Sequence, residues 1–359
     1  MLLLLGINLL MWSVGGSVHL VTSVAAGLAD LARTLEPKEV QCCCKYQNPQ
    51  QSKPKTPEYR NEFNCGRKYQ PSHNIAPTDI TPVLVSAAHF DEAKESSERI
   101  IVPMMWSMVP RWHKGDYRKH GLTTNNCRLE GLAVSKLYGP PLAAGHRCVI
   151  LCEGFYEWQT TAKNLKASER PAFYIHMPQN EGVKIEDRST WNLAGTDGTI
   201  NLLKMAGLFD VWEDENGDKL YSYTVITFES NKKFSAIHHR IPAILETDEE
   251  VDAWLDFRRV AATRAMNMLK PSETIQWYGV SNLVNNSRNK SDQCNKPIGK
   301  DGTKPTIGKG NATPKSKMMQ SWLIVKKRNL EDDPTVEKKE PTASEPDRKK
   351  PKEKNVQAD

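Results

Sequence analysis

Three side chains that can transfer a proton or direct a hydrogen bond lie in three separate segments of the chain: Asn126, Glu157 and His238. Glu157 stands between Tyr156 and Trp158 in an apolar run, where burial raises the pKa of a carboxyl and suits it to proton donation. His238 can move protons near neutral pH or polarise a carbonyl group. The amide of Asn126 can hold a nucleophile or a carbonyl by directed hydrogen bonds. The chemistry expected of these groups together is general acid–base catalysis, although a single Glu on a strand is more often solvated.

Cationic and aromatic residues accompany this polar set. Arg128 and Arg240 each follow a member of the set by two residues, as guanidinium groups that bind phosphate would. Trp106, Trp112 and Trp158 could stack on unpaired bases. The first two tryptophans flank an apolar pair, so a place in the hydrophobic core is the alternative interpretation for them. The sequence thus favours a site that handles single-stranded nucleic acid.

Short runs of β-branched and aromatic residues must position these groups. Runs at 82–85, 99–103, 147–151, 172–175 and 221–228 have the composition and length of strands. Residues 36–41 predict the start of a helix, with Pro at an early position, and residues 248–257 and 261–269 predict two more helices. We therefore expect an α+β fold of mostly antiparallel strands.

The net charge of +6 belongs to the C-terminal segment, because residues 296–359 hold 16 Lys and Arg against 10 Asp and Glu. Charges in the preceding part cancel, so any DNA binding there must depend on a few local arginines. Residues 296–359 have few apolar side chains and are predicted to be disordered. Their basic runs at 326–328 and 348–352 resemble nuclear-import signals, so we expect a nuclear protein. The apolar island 318–325 is a candidate segment for binding replication-fork proteins, or a fortuitous patch.

Eight cysteines show no paired spacing typical of a zinc site, and we expect no metal and no cofactor. Cys148 and Cys152 fall on one face of a predicted strand, where buried thiols are expected. Residues 1–29 contain no charged side chain. Such a run could be a membrane anchor, but it has no positively charged N-terminal region and polar residues interrupt it, so segment 1–30 is interpreted as translated sequence from a wrongly assigned first exon. We expect a monomer without a membrane partner.

Seven motifs between residues 69 and 289 resemble, in order, those of the SOS-response-associated peptidase family. They read YQPSHNIAP at 69–77, MWSMVPRW at 105–112, TNNCR at 124–128, EGFYEW at 153–158, AGLFDVW at 206–212, IHHRIP at 237–242 and VNNSRN at 284–289. The resemblance predicts one domain of this family over residues 31–295. It implies that the chain senses abasic sites in single-stranded DNA as part of the DNA damage response.

The resemblance also implies roles for individual residues. Asn126, Glu157 and His238 match the catalytic positions of the family. The expected DNA-binding residues are Arg33, Trp106, Arg128, Trp158 and Arg240. The family's own nucleophile is an N-terminal cysteine, whose amine and thiol trap the abasic aldehyde as a thiazolidine crosslink. The family name further implies a peptidase, acting on its own N-terminal extension.

The chain departs from the family at that cysteine. The family motif Met-Cys-Gly-Arg-Thr corresponds to residues 30–34, where Arg33 and Thr34 match but Leu31 replaces the cysteine. Cys65 lies in the same Cys-Gly-Arg tripeptide but at an internal position, so we interpret it as a decoy. Two interpretations stay open: the nucleophile exists in a protein with a different first exon, or the chain is a non-catalytic module that binds single-stranded DNA.

Overall fold

Strands account for most of the regular structure in the computed structural model, which describes residues 30–47, 53–61, 64–161, 165–193 and 200–299. All of these residues belong to one compact unit. The strands are β1 Asp30–Arg33, β2 Glu58–Tyr59, β3 Ser72–Ile75, β4 Ile80–Ser86, β5 Arg99–Trp106, β6 Asn126–Arg128, β7 Arg147–Cys152, β8 Gly154–Trp158, β9 Ala172–His176, β10 Leu203–Glu213, β11 Lys219–Glu229, β12 Arg240–Pro242 and β13 Gln276–Val280. The helices are α1 Pro37–Cys43, α2 Gly139–Ala143, α3 Asp248–Leu255 and α4 Ala262–Met268.

One sheet has five antiparallel strands in the order β13-β9-β8-β1-β3. Every residue of β8 is buried, although the strand contains Glu157. Gly154 begins β8 because no larger residue fits there: a Cβ at that position would lie 2.3 Å from Cζ of Tyr174. The sheet therefore holds its central strand, and the carboxyl that it carries, in a tightly packed interior.

The second sheet is closed on itself. Its order is β12-β11-β10-β7-β4-β5-β2, and β5 also pairs in parallel with β11. Strands β11, β10, β7, β4 and β5 thus form a small barrel whose interior is filled by side chains. The short strand β6 runs parallel to β11, so the C-terminal half of β11 has neighbours on both edges.

The helices begin where side-chain chemistry favours them. Pro37 is the first residue of α1, and Oε2 of Glu39 accepts a hydrogen bond from the N–H of Glu36 at 2.7 Å. Thr247 caps α3 by accepting from the N–H of Glu250. Helix α3 covers β7, where the buried Trp254 donates from Nε1 to the carbonyl of Cys148 at 2.9 Å.

The predicted α+β class is confirmed. The five predicted strand runs lie within β4, β5, β7, β9 and β11, and the three predicted helices correspond to α1, α3 and α4. Cys148 and Cys152 are buried as expected. None of the described helices is long and apolar enough to cross a membrane. The interpretations of segment 1–29 and of the tail beyond residue 299 concern residues outside the described part of the chain.

Candidate functional site

Glu157 is a buried acid in the centre of the five-stranded sheet. Its Oε1 accepts a hydrogen bond from the N–H of Trp158 at 3.2 Å, and its Oε2 has no hydrogen-bond partner among the described residues. Burial raises the pKa of this carboxyl well above its ordinary value, and the nearby Asp30 raises the pKa further. The raised pKa expected from the sequence is confirmed. A raised pKa favours the protonated form, which is the form that a general acid needs.

Position 31 lies on the strand beside Glu157. Leu31 in β1 is directly opposite Phe155 in β8. Opposed residues point to the same face of a sheet, and residues two apart along a strand share that face. The side chains of Leu31 and Glu157 are therefore diagonal neighbours on one face. Leu31 is fully buried and offers no reactive group.

His238 lies in a loop that touches the ends of two strands. The N–H of Thr160, just beyond β8, donates to the carbonyl of Ile237 at 3.0 Å. The hydroxyl of Ser230, just beyond β11, donates to the carbonyl of His238 at 2.8 Å. This loop therefore joins the end of β8, which carries Glu157, to the end of β11.

The His238 ring is buried and uncharged at neutral pH. Burial lowers its pKa most, and the hydrogen bond with the backbone of Arg240 opposes that change only in part. Nδ1 lies 3.1 Å from both the N–H and the carbonyl oxygen of Arg240, so the tautomer decides whether it accepts from the first or donates to the second; Nε2 has no hydrogen-bond partner among the described residues. A buried polar atom without a hydrogen-bond partner lowers the stability of the folded protein by about 1–3 kcal/mol. Such atoms are a common feature of sites that bind a ligand or transfer a proton.

Asn126 and Arg128 lie on one edge of β11. In the parallel pairing of β6 with β11, Asn126 is opposite Val225 and Arg128 is opposite Thr227. Asn126 is half-buried and Arg128 is exposed. An exposed guanidinium at the end of a strand is accessible to a phosphate group.

Arg240 lies on the other edge of the same strand, because Thr227 also pairs with Pro242 in β12. Its guanidinium forms two hydrogen bonds with Glu130, from Nη1 to Oε1 at 2.7 Å and from Nη2 to Oε2 at 2.9 Å. Nη2 also donates to the carbonyl of Thr227 at 2.7 Å. Arg128 and Arg240 thus lie on opposite edges of the C-terminal end of β11, and the guanidinium of Arg240 is already engaged.

Two of the residues that were expected to bind DNA are buried in the interior instead. Arg33 is buried and donates from Nη1 to the carbonyl of Pro82, so it does not present its guanidinium to a phosphate. Trp106 is fully buried, with Nε1 donating to the carbonyl of Asn125 at 2.9 Å. Trp106 therefore belongs to the core, which is the alternative interpretation of this residue.

The other two tryptophans differ from each other. Trp158 is buried, so little of its ring is available for stacking on a base. Its Nε1 donates to Oδ1 of Asn285 at 2.7 Å. Trp112 is 58% exposed and can present its ring to an unpaired base. Sequence reasoning missed the role of Glu130. Its position, two residues after Arg128 at the end of a strand, was the signal that could have drawn attention to it.

Among the residues that the structure describes, no group of three or more His, Cys, Asp or Glu side chains is arranged to hold a metal ion. Cys65, the internal decoy, is exposed, and its backbone has a φ of 50°. Partial burial and the nearby Asp214 and Asp218 raise the pKa of its thiol. This thiol is therefore a weaker nucleophile at neutral pH than an ordinary cysteine.

The chain is similar to proteins of known family over most of its length. Residues 42–287 match the family described as SOS response associated peptidase (SRAP). The abasic site processing protein HMCES of Xenopus tropicalis is 40% identical over 312 residues, which are 85% of this chain and 88% of that protein. The abasic site processing protein YoqW of Bacillus subtilis (strain 168) is 28% identical over 235 residues, 65% of this chain and 89% of that protein.

A solved structure is also similar. The crystal structure of a protein from Bacteroides thetaiotaomicron superposes with a TM-score of 0.50 at 18% identity, covering 71% of this chain and 92% of that one. At this identity the likeness concerns the fold alone. The family match begins at residue 42, after β1, so the correspondence of residues 30–34 with the family's N-terminal motif stays a prediction.

Proposed function

Because the chain belongs to the SOS response-associated peptidase family, we propose that it binds single-stranded DNA and processes abasic sites in it. The names of the curated relatives support this proposal, since they describe those proteins as abasic site processing proteins. One structural observation carries it: the buried Glu157, whose carboxyl has a pKa raised by burial, lies on the same sheet face as position 31, beside the loop of a neutral His238.

Glu157 is the general acid of the proposed reaction. An abasic sugar is a cyclic hemiacetal, and its reactive aldehyde appears when the ring opens. Glu157 donates its proton to the ring oxygen, the bond between that oxygen and C1′ breaks, and the C1′ hydroxyl loses its proton. Neutral His238 accepts that proton at Nε2, in the tautomer whose Nδ1–H donates to the carbonyl of Arg240 at 3.1 Å. Asn126 orients the sugar, and Arg128 and Arg240 bind the phosphates that flank it.

Covalent attachment depends on residue 31. A cysteine with a free α-amine at this position would attack the aldehyde through nitrogen and release water as the imine forms. The thiol would then add to the imine carbon, and its proton would pass to the nitrogen, giving a thiazolidine. Holding both groups beside the sugar makes the reaction effectively intramolecular. Leu31 supplies no thiol, so we propose that the chain as written binds the lesion without this crosslink.

A restored terminus tests the proposal. In a variant whose residues 1–32 are replaced by Met-Cys-Gly, Arg33 follows directly and the initiator Met is removed to expose the cysteine. We expect this variant to form a heat-stable adduct with an abasic single-stranded oligonucleotide on a denaturing gel, and the unchanged chain to form none. Adding Glu157→Gln should slow adduct formation by about 10²–10⁴-fold, because it removes the proton donor and keeps its shape.

Cys65→Ala in the restored variant is the matched control, since it removes an exposed thiol outside the proposed site. It should leave the rate unchanged. A restored variant that binds DNA but stays inert would refute the crosslinking role. An adduct formed by the unchanged chain would instead direct attention to Cys65.

A leucine at position 31 supports a second candidate function, in which the chain is a non-catalytic module that binds single-stranded DNA. This module would bind oligonucleotides with and without an abasic site equally well, whereas the first proposal requires a preference for the lesion. We also propose a nuclear location, supported by the basic runs at 326–328 and 348–352. Replacing both runs by alanine and imaging a tagged protein would test it.

A further inference from the structure

The ion pair of Arg240 with Glu130 occupies the place where the proposed function needs a phosphate. Both carboxylate oxygens of Glu130 accept from the Arg240 guanidinium, at 2.7 and 2.9 Å. The Arg240 guanidinium is the main reason that the pKa of this carboxyl lies below its ordinary value. The guanidinium thus presents two hydrogen-bond donors to one anionic group. Phosphate groups bind to the same kind of donor set.

The two partners of this pair differ in how firmly they are held. The side chain of Arg240 is 9% exposed and that of Glu130 is 54% exposed. Arg240 keeps a second anchor, the carbonyl of Thr227 at 2.7 Å. The carboxylate can therefore rotate into solvent while the guanidinium stays in position at the end of β11.

We infer that Glu130 is a positioning residue of the DNA site, whose carboxylate holds the Arg240 guanidinium in the DNA-free protein and is exchanged for a DNA phosphate on binding. This inference rests on the proposed binding of single-stranded DNA. Arginine binds carboxylate and phosphate with the same two-donor geometry, so the exchange requires no rearrangement of the guanidinium. Arg128, exposed on the opposite edge of β11, provides the first contact for the incoming strand. Every strand that reaches Arg240 must compete with Glu130.

Glu130→Gln tests the exchange, because it keeps the side-chain size and removes the competing charge. We expect this variant of the full chain to bind a single-stranded oligonucleotide about fivefold more tightly in a fluorescence anisotropy titration. The slope of log K against log salt concentration should become steeper by up to about 0.7, because in the unchanged protein the released Glu130 carboxylate attracts a cation that offsets the one leaving the DNA phosphate. A residue that only supports the fold would not change this slope.

Glu95→Gln is the matched control. Glu95 is also 54% exposed and also pairs with an arginine, Arg259, but it lies outside the proposed site. Its replacement makes the same change in net charge and should leave affinity and slope unchanged. Glu130→Gln should also have no effect in an Arg240→Ala background, because no guanidinium is left to release.

Three results overturn the inference. Weaker binding by Glu130→Gln would mean that DNA needs the ion pair intact. An equal gain in the Arg240→Ala background, or an equal gain from Glu95→Gln, would mean that general charge repulsion accounts for the effect. If the proposed function itself is wrong, the result is distinguishable from these three, because neither the unchanged chain nor any variant would bind single-stranded DNA.

Discussion

Replacing Glu157 by Gln is predicted to remove a pH-dependent loss of stability. The Glu157 pKa is raised by burial well above the ordinary value of 4.5. Between the unfolded and folded pKa values, the folded protein binds more protons than the unfolded chain. The stabilising contribution is therefore complete below about pH 4.5 and is lost as the pH rises towards the folded pKa. Gln resembles the protonated acid in shape but does not ionise, so the variant lacks this dependence.

The magnitude follows from linkage. Each pH unit between the two pKa values lowers the free energy of unfolding of the unchanged protein by about 1.4 kcal/mol relative to the Gln variant. For a domain of this size, that difference corresponds to about 3 °C in the melting temperature per pH unit. The Trp158 N–H can donate to the amide oxygen of Gln as it does to Oε1 of Glu157, so the substitution itself should cost little. Near pH 8 we expect the variant to be more stable than the unchanged protein.

Thermal unfolding of both proteins by circular dichroism, at half-unit steps from pH 4 to pH 8.5, measures this difference. Asp30 and Glu153 also have raised pKa values through burial. They contribute with the same sign to both proteins, so the difference between the two melting curves reports on Glu157 together with its coupling to Asp30. A difference in melting temperature that does not change above pH 4.5 would show that the carboxyl has an ordinary pKa. The argument for a general acid would then fail.

Two further predictions concern packing and binding. Gly154→Ala should destabilise the protein by about 1–3 kcal/mol in chemical denaturation. The new Cβ would lie 2.3 Å from the Tyr174 ring and 2.6 Å from the carbonyl of Ile175. An unchanged midpoint of the unfolding transition would refute this packing. Arg128→Ala should weaken binding of single-stranded DNA by about 1–3 kcal/mol in anisotropy titrations. It should leave the melting temperature unchanged, because the Arg128 side chain is exposed. An equal loss of binding and of stability would assign Arg128 a structural role.

Local features of this protein could be predicted from its sequence because they depend on neighbours along the chain. A run of β-branched residues identified β7, and the two-residue period of a strand put Cys148 and Cys152 on one face, where buried thiols were expected. Pro37 after an acidic residue identified the start of α1. The apolar residues around Glu157 predicted its raised pKa, since a carboxyl inside an apolar strand loses its hydration whatever the rest of the fold does.

Other features depended on contacts between distant parts of the chain. Trp106 and Trp112 belong to one motif, yet the first is fully buried and the second is 58% exposed. The reason is that β5 ends at Trp106, where the barrel closes against β11. Ser107 then turns the chain with a φ of 95°. The residues between the two tryptophans do not predict that the barrel closes at this point.

The arginines illustrate the same division. The sequence by itself made Arg128 and Arg240 candidates for binding phosphate, because the guanidinium group has that chemistry wherever it lies, and the family resemblance added Arg33. Only the tertiary structure decided that Arg33 is buried, that Arg128 is exposed, and that Arg240 pairs with Glu130, 110 residues away in the chain. Whether a guanidinium is free depends on which acceptors the fold brings within about 3 Å of it. That is a property of the packed chain rather than of any local run of residues.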